Sequence, residues 1–62
     1  MNTTKRRNAI LERVAEQGSA RVSDLASDLG VSLETIRRDV RPLVERGELV
    51  KTHGVVFAVD AI

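Results

Sequence analysis

The sequence predicts a small, mainly α-helical fold with a small β-sheet: three helices, a short strand between the first two, and a C-terminal β-hairpin. Two patterns predict it. Gly18, Gly30, Gly47 and Gly54 fall where helices would stop or strands would turn. Before Gly47 apolar residues recur at helical spacing, whereas afterwards the run ELVKTHGVVFAVD is rich in valine and loosely alternating.

In the first helix, Ile10, Leu11, Val14 and Ala15 repeat at helical spacing with charged side chains opposite, and Thr3 or Thr4 is placed to cap it. Ser19 to Val22 is too short for a helix and ends in a β-branched residue, so it reads as an extended link or short strand able to join the hairpin. Ser23 is then the expected N-cap of a second helix. That helix buries Leu25, Ala26 and Leu29, has Asp24 near its positive end, and stops at Gly30.

Ser32 caps the third helix after only Gly30 and Val31. Two short helices joined by so tight a glycine-containing turn are the signature of a helix-turn-helix, here spanning about 20–39. On a helical wheel Ile36, Val40 and Leu43 share one face, with Leu33 and Val44 flanking it. Glu34, Arg38, Arg41 and Glu45 point the opposite way, and Thr35 and Arg37 occupy the shoulders. Pro42 lies inside this helix, where it lacks the amide that would bond the Arg38 carbonyl, so a kink is expected near Arg38 to Pro42. The hairpin, about 48–60, has two registers. A two-residue turn at His53 and Gly54 pairs Val50 with Phe57, and a three-residue loop sets Leu49 opposite Phe57. The second is favoured because it buries Leu49 beneath the third helix. Helix, strand, helix, helix and hairpin together make a winged helix-turn-helix.

Size and composition bound what such a chain does. Its 62 residues allow one small domain, and the lack of cysteine excludes disulfides and thiolate metal sites. With one histidine and no candidate triad, no catalytic residue, cofactor or metal site is expected, His53 included. No apolar run is long enough for a membrane span and the first residues lack a secretory signal, so a cytoplasmic protein is expected.

Net charge is only +1, but it is unevenly distributed. Lys5, Arg6 and Arg7 cluster early, where they would either touch phosphate or form an unstructured basic end. Arg37, Arg38 and Arg41 cluster on the third helix. The free amides and Ser32 hydroxyl at that helix's start suit a phosphate, although Ser32 serves equally well as a plain cap. Thr35, Arg37 and Arg38 lie in the first two turns, the part of a recognition helix that reaches base edges in the major groove. Arg38 is the expected base reader and Arg37 the phosphate clamp. Lys51, Thr52 and His53 lead into the hairpin tip, suiting flanking phosphate or the minor groove. Asp39 sits near the core edge, where it is expected to pair with Arg21 or Arg13. Asp24 and Asp28 read as a solvated face.

The run GSARVSDLASDLGVSLETIRRDV, continuing to LVERGELVKTHG, resembles the N-terminal DNA-binding domain of DeoR-type bacterial transcriptional regulators over roughly residues 3 to 58. Its most specific parts are VS, TIRRD and the THG of the wing. The resemblance implies a winged helix-turn-helix that binds double-stranded operator DNA, usually as a repressor. In that family a larger domain sensing a phosphorylated sugar or related metabolite follows. The present 62 residues are expected to hold neither that domain nor a small-molecule effector site, and to be monomeric or weakly dimeric. The rival reading is a protein interaction or dimerisation module whose arginines meet acidic protein surfaces.

Overall fold

The computed structural model describes residues 2–59. The expected end of the wing at residue 60 lies outside them. The elements follow the predicted order: α1 (Thr3–Gln17), β1 (Ser19–Arg21), α2 (Val22–Leu29), α3 (Leu33–Glu45), β2 (Leu49–Thr52) and β3 (Val55–Ala58). Three helices and a three-stranded antiparallel sheet make a winged helix-turn-helix.

Two helix starts differ from the sequence expectation. The N-cap of α1 is Asn2, whose side chain accepts from the Lys5 amide, and not Thr3 or Thr4, which are already helical. The N-cap of α2 is Arg21 and not Ser23, and no side chain bonds there. The reason is tertiary: the Val22 amide, the first free donor of the helix, donates to the Gly54 carbonyl at 2.9 Å, so the hairpin turn satisfies an amide at this start that the helix itself leaves unpaired. Starting earlier also lets Val22 enter the core, 3% exposed.

The turn between α2 and α3 depends on Gly30. It adopts a left-handed conformation at φ 67°, while the Val31 amide reaches back to the Ala26 carbonyl and closes the end of α2. Ser32 then caps α3 by accepting from the Thr35 amide. The helix continues through Pro42 to Glu45, so the proline removes one amide without ending it.

The sheet order is β1-β3-β2, with the short first strand joining the hairpin as the third strand. The hairpin register is Val50 opposite Phe57 and Thr52 opposite Val55, which leaves His53 and Gly54 as a two-residue turn. This corrects the expected three-residue loop. His53 takes φ 50° and Gly54 φ 76°, and positive φ at both central positions is the tight turn that matches strand twist. Leu49 is nonetheless buried, opposite Ala58.

The core gathers Ile10 and Val14 from α1, Leu25 and Ala26 from α2, Ile36, Val40 and Leu43 from α3, and Leu49 and Val56 from the hairpin. Leu33 does not flank it as the wheel suggested; it is 43% exposed. No helix among the described residues is long and apolar enough to cross a membrane.

Candidate nucleic-acid interface

The placement of α3 follows from what holds its inner face. Ile36 and Val40 are fully buried, and Asp39 between them is only 2% exposed. Its carboxylate takes both an ion pair and a hydrogen bond from Arg6 Nε, and a second hydrogen bond from Arg6 Nη2 at 3.1 Å. Arg7 Nε is 3.6 Å from Asp39 Oδ1, the oxygen that accepts from Arg6 Nη2, near enough for charge but not for a hydrogen bond. The hydrogen bond to Asp39 raises the Arg6 pKa above its ordinary value. Asp39 therefore pairs with the start of α1, and not with Arg21 or Arg13 as expected. Arg13 pairs instead with Asp28, each about two-fifths exposed, so Asp28 is not simply a solvated carboxylate. The early basic cluster is thereby divided. It lies in a helix, and Arg6 and Arg7 are turned toward the protein interior.

The outer face of α3 carries the remaining predicted residues. Ser32 and Thr35 hydroxyls lie 2.9 Å apart at its start. Ser32 is engaged as cap, while both hydroxyls keep hydrogen-bonding capacity toward a further group. Arg38 is 79% exposed, with Glu34 one turn earlier at 3.9 Å, a solvated pair that constrains the arginine little. Arg37 and Arg41 lie one turn apart on the flank nearest the hairpin and line a groove whose other wall includes Lys51. Arg37 and Lys51 also line a second groove, bounded by Arg21, His53 and Gly54. Thr52 is exposed beside the turn.

Ion pairing separates the cations into two sets. Arg6, Arg7, Arg13, Arg38 and Arg46 each have a carboxylate within ion-pair distance. Among the described residues Lys5, Arg21, Arg37, Arg41 and Lys51 have none; Lys5 is exposed on α1, and the other four line the grooves between α3 and the hairpin. Their charge is left for an external anion, and the recognition helix and wing tip present it on one face. Sequence reasoning missed Arg21 and Leu33 at this surface. Arg21 ends β1 next to the turn, a position visible only once β1 pairs with β3. Among the described residues no three His, Cys, Asp or Glu side chains group as metal ligands.

Comparison with known proteins agrees with this fold. The family model of the DeoR-like helix-turn-helix domain matches residues 6–61. A candidate galactitol utilization operon repressor of Escherichia coli K12 is 44% identical over 54 residues, 87% of this chain and 48% of its own length. The lactose phosphotransferase system repressor of Staphylococcus epidermidis is 43% identical over 87% of this chain and 22% of its own length. The L-fucose operon activator of Haemophilus influenzae is 49% identical over 45 residues, 73% of this chain and 18% of its own length. The chain thus spans half or less of the length of the curated relatives it matches. No solved structure matches it. With the fold, the TIRRD helix and the family match all in agreement, the chain belongs to the DeoR-like helix-turn-helix family.

Proposed function

We propose that residues 3–58 form a sequence-specific double-stranded DNA-binding unit of a transcriptional regulator, acting as a repressor in the cytoplasm, with α3 in the major groove and the hairpin on flanking backbone or minor groove. The observation that carries this reading is that four of the cations left without a carboxylate among the described residues, Arg21, Arg37, Arg41 and Lys51, line the grooves beside a capped helix. Ser32 and the first amides of α3 receive a phosphate, and Thr35 and Arg38 reach base edges. Arg37 and Arg41 clamp backbone, while Lys51, Thr52 and His53 touch DNA from the wing. Repression is supported by the relatives, most of which are named as repressors, alongside one named activator. No step of catalysis and no cofactor enters this function.

The isolated chain is monomeric or weakly dimeric, and a longer protein that dimerises would recognise half-sites spaced by about 34 Å or a multiple. Four cations each neutralising one phosphate give a slope of log affinity against log salt of about −3.6, so raising salt from about 50 to 200 mM weakens binding roughly a hundredfold. Titration of fluorescent random-sequence duplex, followed by selection of preferred duplexes, tests the reading. Arg38→Ala is expected to lose preference at one base pair while keeping most of the salt slope. Absence of duplex binding at low salt would refute it.

A further inference from the structure

Leu33 is the first residue of α3 and, at 43% exposed, is one of two large apolar side chains the described residues leave open to solvent. Single exposed leucines are ordinary on protein surfaces, but the surroundings of this one are not. It lines the groove between α3 and the hairpin with Arg21, Ser23, Arg37, Lys51 and His53, and no carboxylate lines that groove. A protein surface that merely tolerated a leucine would have no reason to ring it with unpaired cations. A polyanion with an apolar feature at one position fits both halves of the surface.

We propose that Leu33 is a specificity-determining residue that reads a thymine C5-methyl in the major groove. The inference rests on the DNA-binding reading and adds a contact to it. Residues in the first turn of a recognition helix approach base edges. Leucine has neither donor nor acceptor, so it is blind to the hydrogen-bond pattern of a base pair. The apolar group that unmodified DNA presents in the major groove is the thymine methyl, and an aliphatic side chain is suited to contact it. Arg37, one turn along the same side of α3, and Lys51 across the groove hold the flanking phosphates and fix the distance at which the leucine meets the base.

The test begins with duplexes selected from a random pool by the 62-residue chain. In the preferred duplex each thymine is replaced, one at a time, by uracil, which removes the methyl and keeps the pairing edge. Wild type is expected to lose about fourfold in affinity at one thymine of the site, the value of burying one methyl group. Leu33→Ala, its fold checked by circular dichroism, is expected to show no loss there, and Leu33→Met to regain it. A parallel selection with Leu33→Ala is expected to lose the thymine preference at that position alone. The proposal is overturned if wild type is insensitive to uracil at every thymine, or if Leu33→Ala selects the same site and responds to uracil as wild type does. Failure to enrich any duplex would instead overturn the DNA-binding reading, and with it the contact.

Discussion

Removing the Asp39 carboxylate tests whether α3 is held in place by the start of α1. In Asp39→Ala the cavity is small, since alanine keeps the Cβ, so the loss is dominated by the charged hydrogen bonds from Arg6. Breaking a fully buried pair costs about 3–5 kcal/mol because the surviving charge is stranded. Here the survivors are arginines with side chains 16% and 33% exposed, long enough to turn their heads into water, so the cost is lower. Hydrogen bonds to charged groups contribute about 1.5–3 kcal/mol, which sets the expected loss for Asp39→Ala near 2 kcal/mol. A domain of 62 residues has a total stability of about 3–9 kcal/mol, so this is a substantial share, and Tm falls by about 8–16 °C. Thermal and urea melts followed at 222 nm measure it, urea being chosen because it leaves ionic strength unchanged. Arg6→Ala should also lower Tm, and the double variant should melt close to Asp39→Ala alone, because Arg6 then has no partner left to lose. A Tm for Asp39→Ala within about 2 °C of wild type, or strictly additive losses, would refute the reasoning.

Three further outcomes follow from the same geometry. Pro42→Ala restores an amide for the Arg38 carbonyl inside α3 and should raise stability by about 1–2 kcal/mol, the helical gain being partly offset by a freer unfolded chain; an unchanged or lower urea midpoint contradicts it. Gly54→Ala forces a side chain into φ 76° with open space around it, so backbone strain alone should cost about 1 kcal/mol in a thermal melt, and a neutral result would mean the turn has changed type. Lys51→Ala should reduce the salt slope of duplex binding by about one and weaken all duplexes alike; a change in preferred sequence would instead assign Lys51 to base contact.

What was legible in the sequence was whatever depends on local spacing. Apolar periodicity and the glycine stops gave the order of elements, and Ser32 was identified correctly as the cap of α3 because its acceptor role needs only the amide three residues on. What failed depended on a distant neighbour or on an uncommon backbone state. The N-cap of α2 is Arg21 and not Ser23 because the Gly54 carbonyl, more than thirty residues away, accepts the Val22 amide. The hairpin register turned on His53 adopting φ 50°, which non-glycine residues seldom do, although histidine is among those that tolerate it. Arg6 and Arg7 read from spacing alone as either phosphate contacts or a loose basic end, and only the packing of α1 against α3 shows the buried carboxylate that explains them. Leu33 was misplaced because the helical wheel assumes that the core surrounds the whole inner face, whereas at the first turn the core has already ended.

The pairing pattern gives the near-zero net charge a physical meaning. With ten basic and nine acidic residues the sum predicts little attraction to a polyanion. The fold redistributes it. Asp39 is used inside, against Arg6 and Arg7, and Asp28 is used against Arg13 between α1 and α2. Those pairs neutralise cations on the side of the molecule that fixes α3, and Arg21, Arg37, Arg41 and Lys51 are left without carboxylates on the side that α3 and the wing present. Burying a carboxylate beneath α3 thus serves two ends at once: it ties the helix to α1, and it keeps one negative charge away from the surface proposed to meet phosphate. The same reasoning marks Glu34 as a carboxylate opposed to the proposed DNA contact, since it lies one turn before Arg38 on the outer face and would compete with DNA for it.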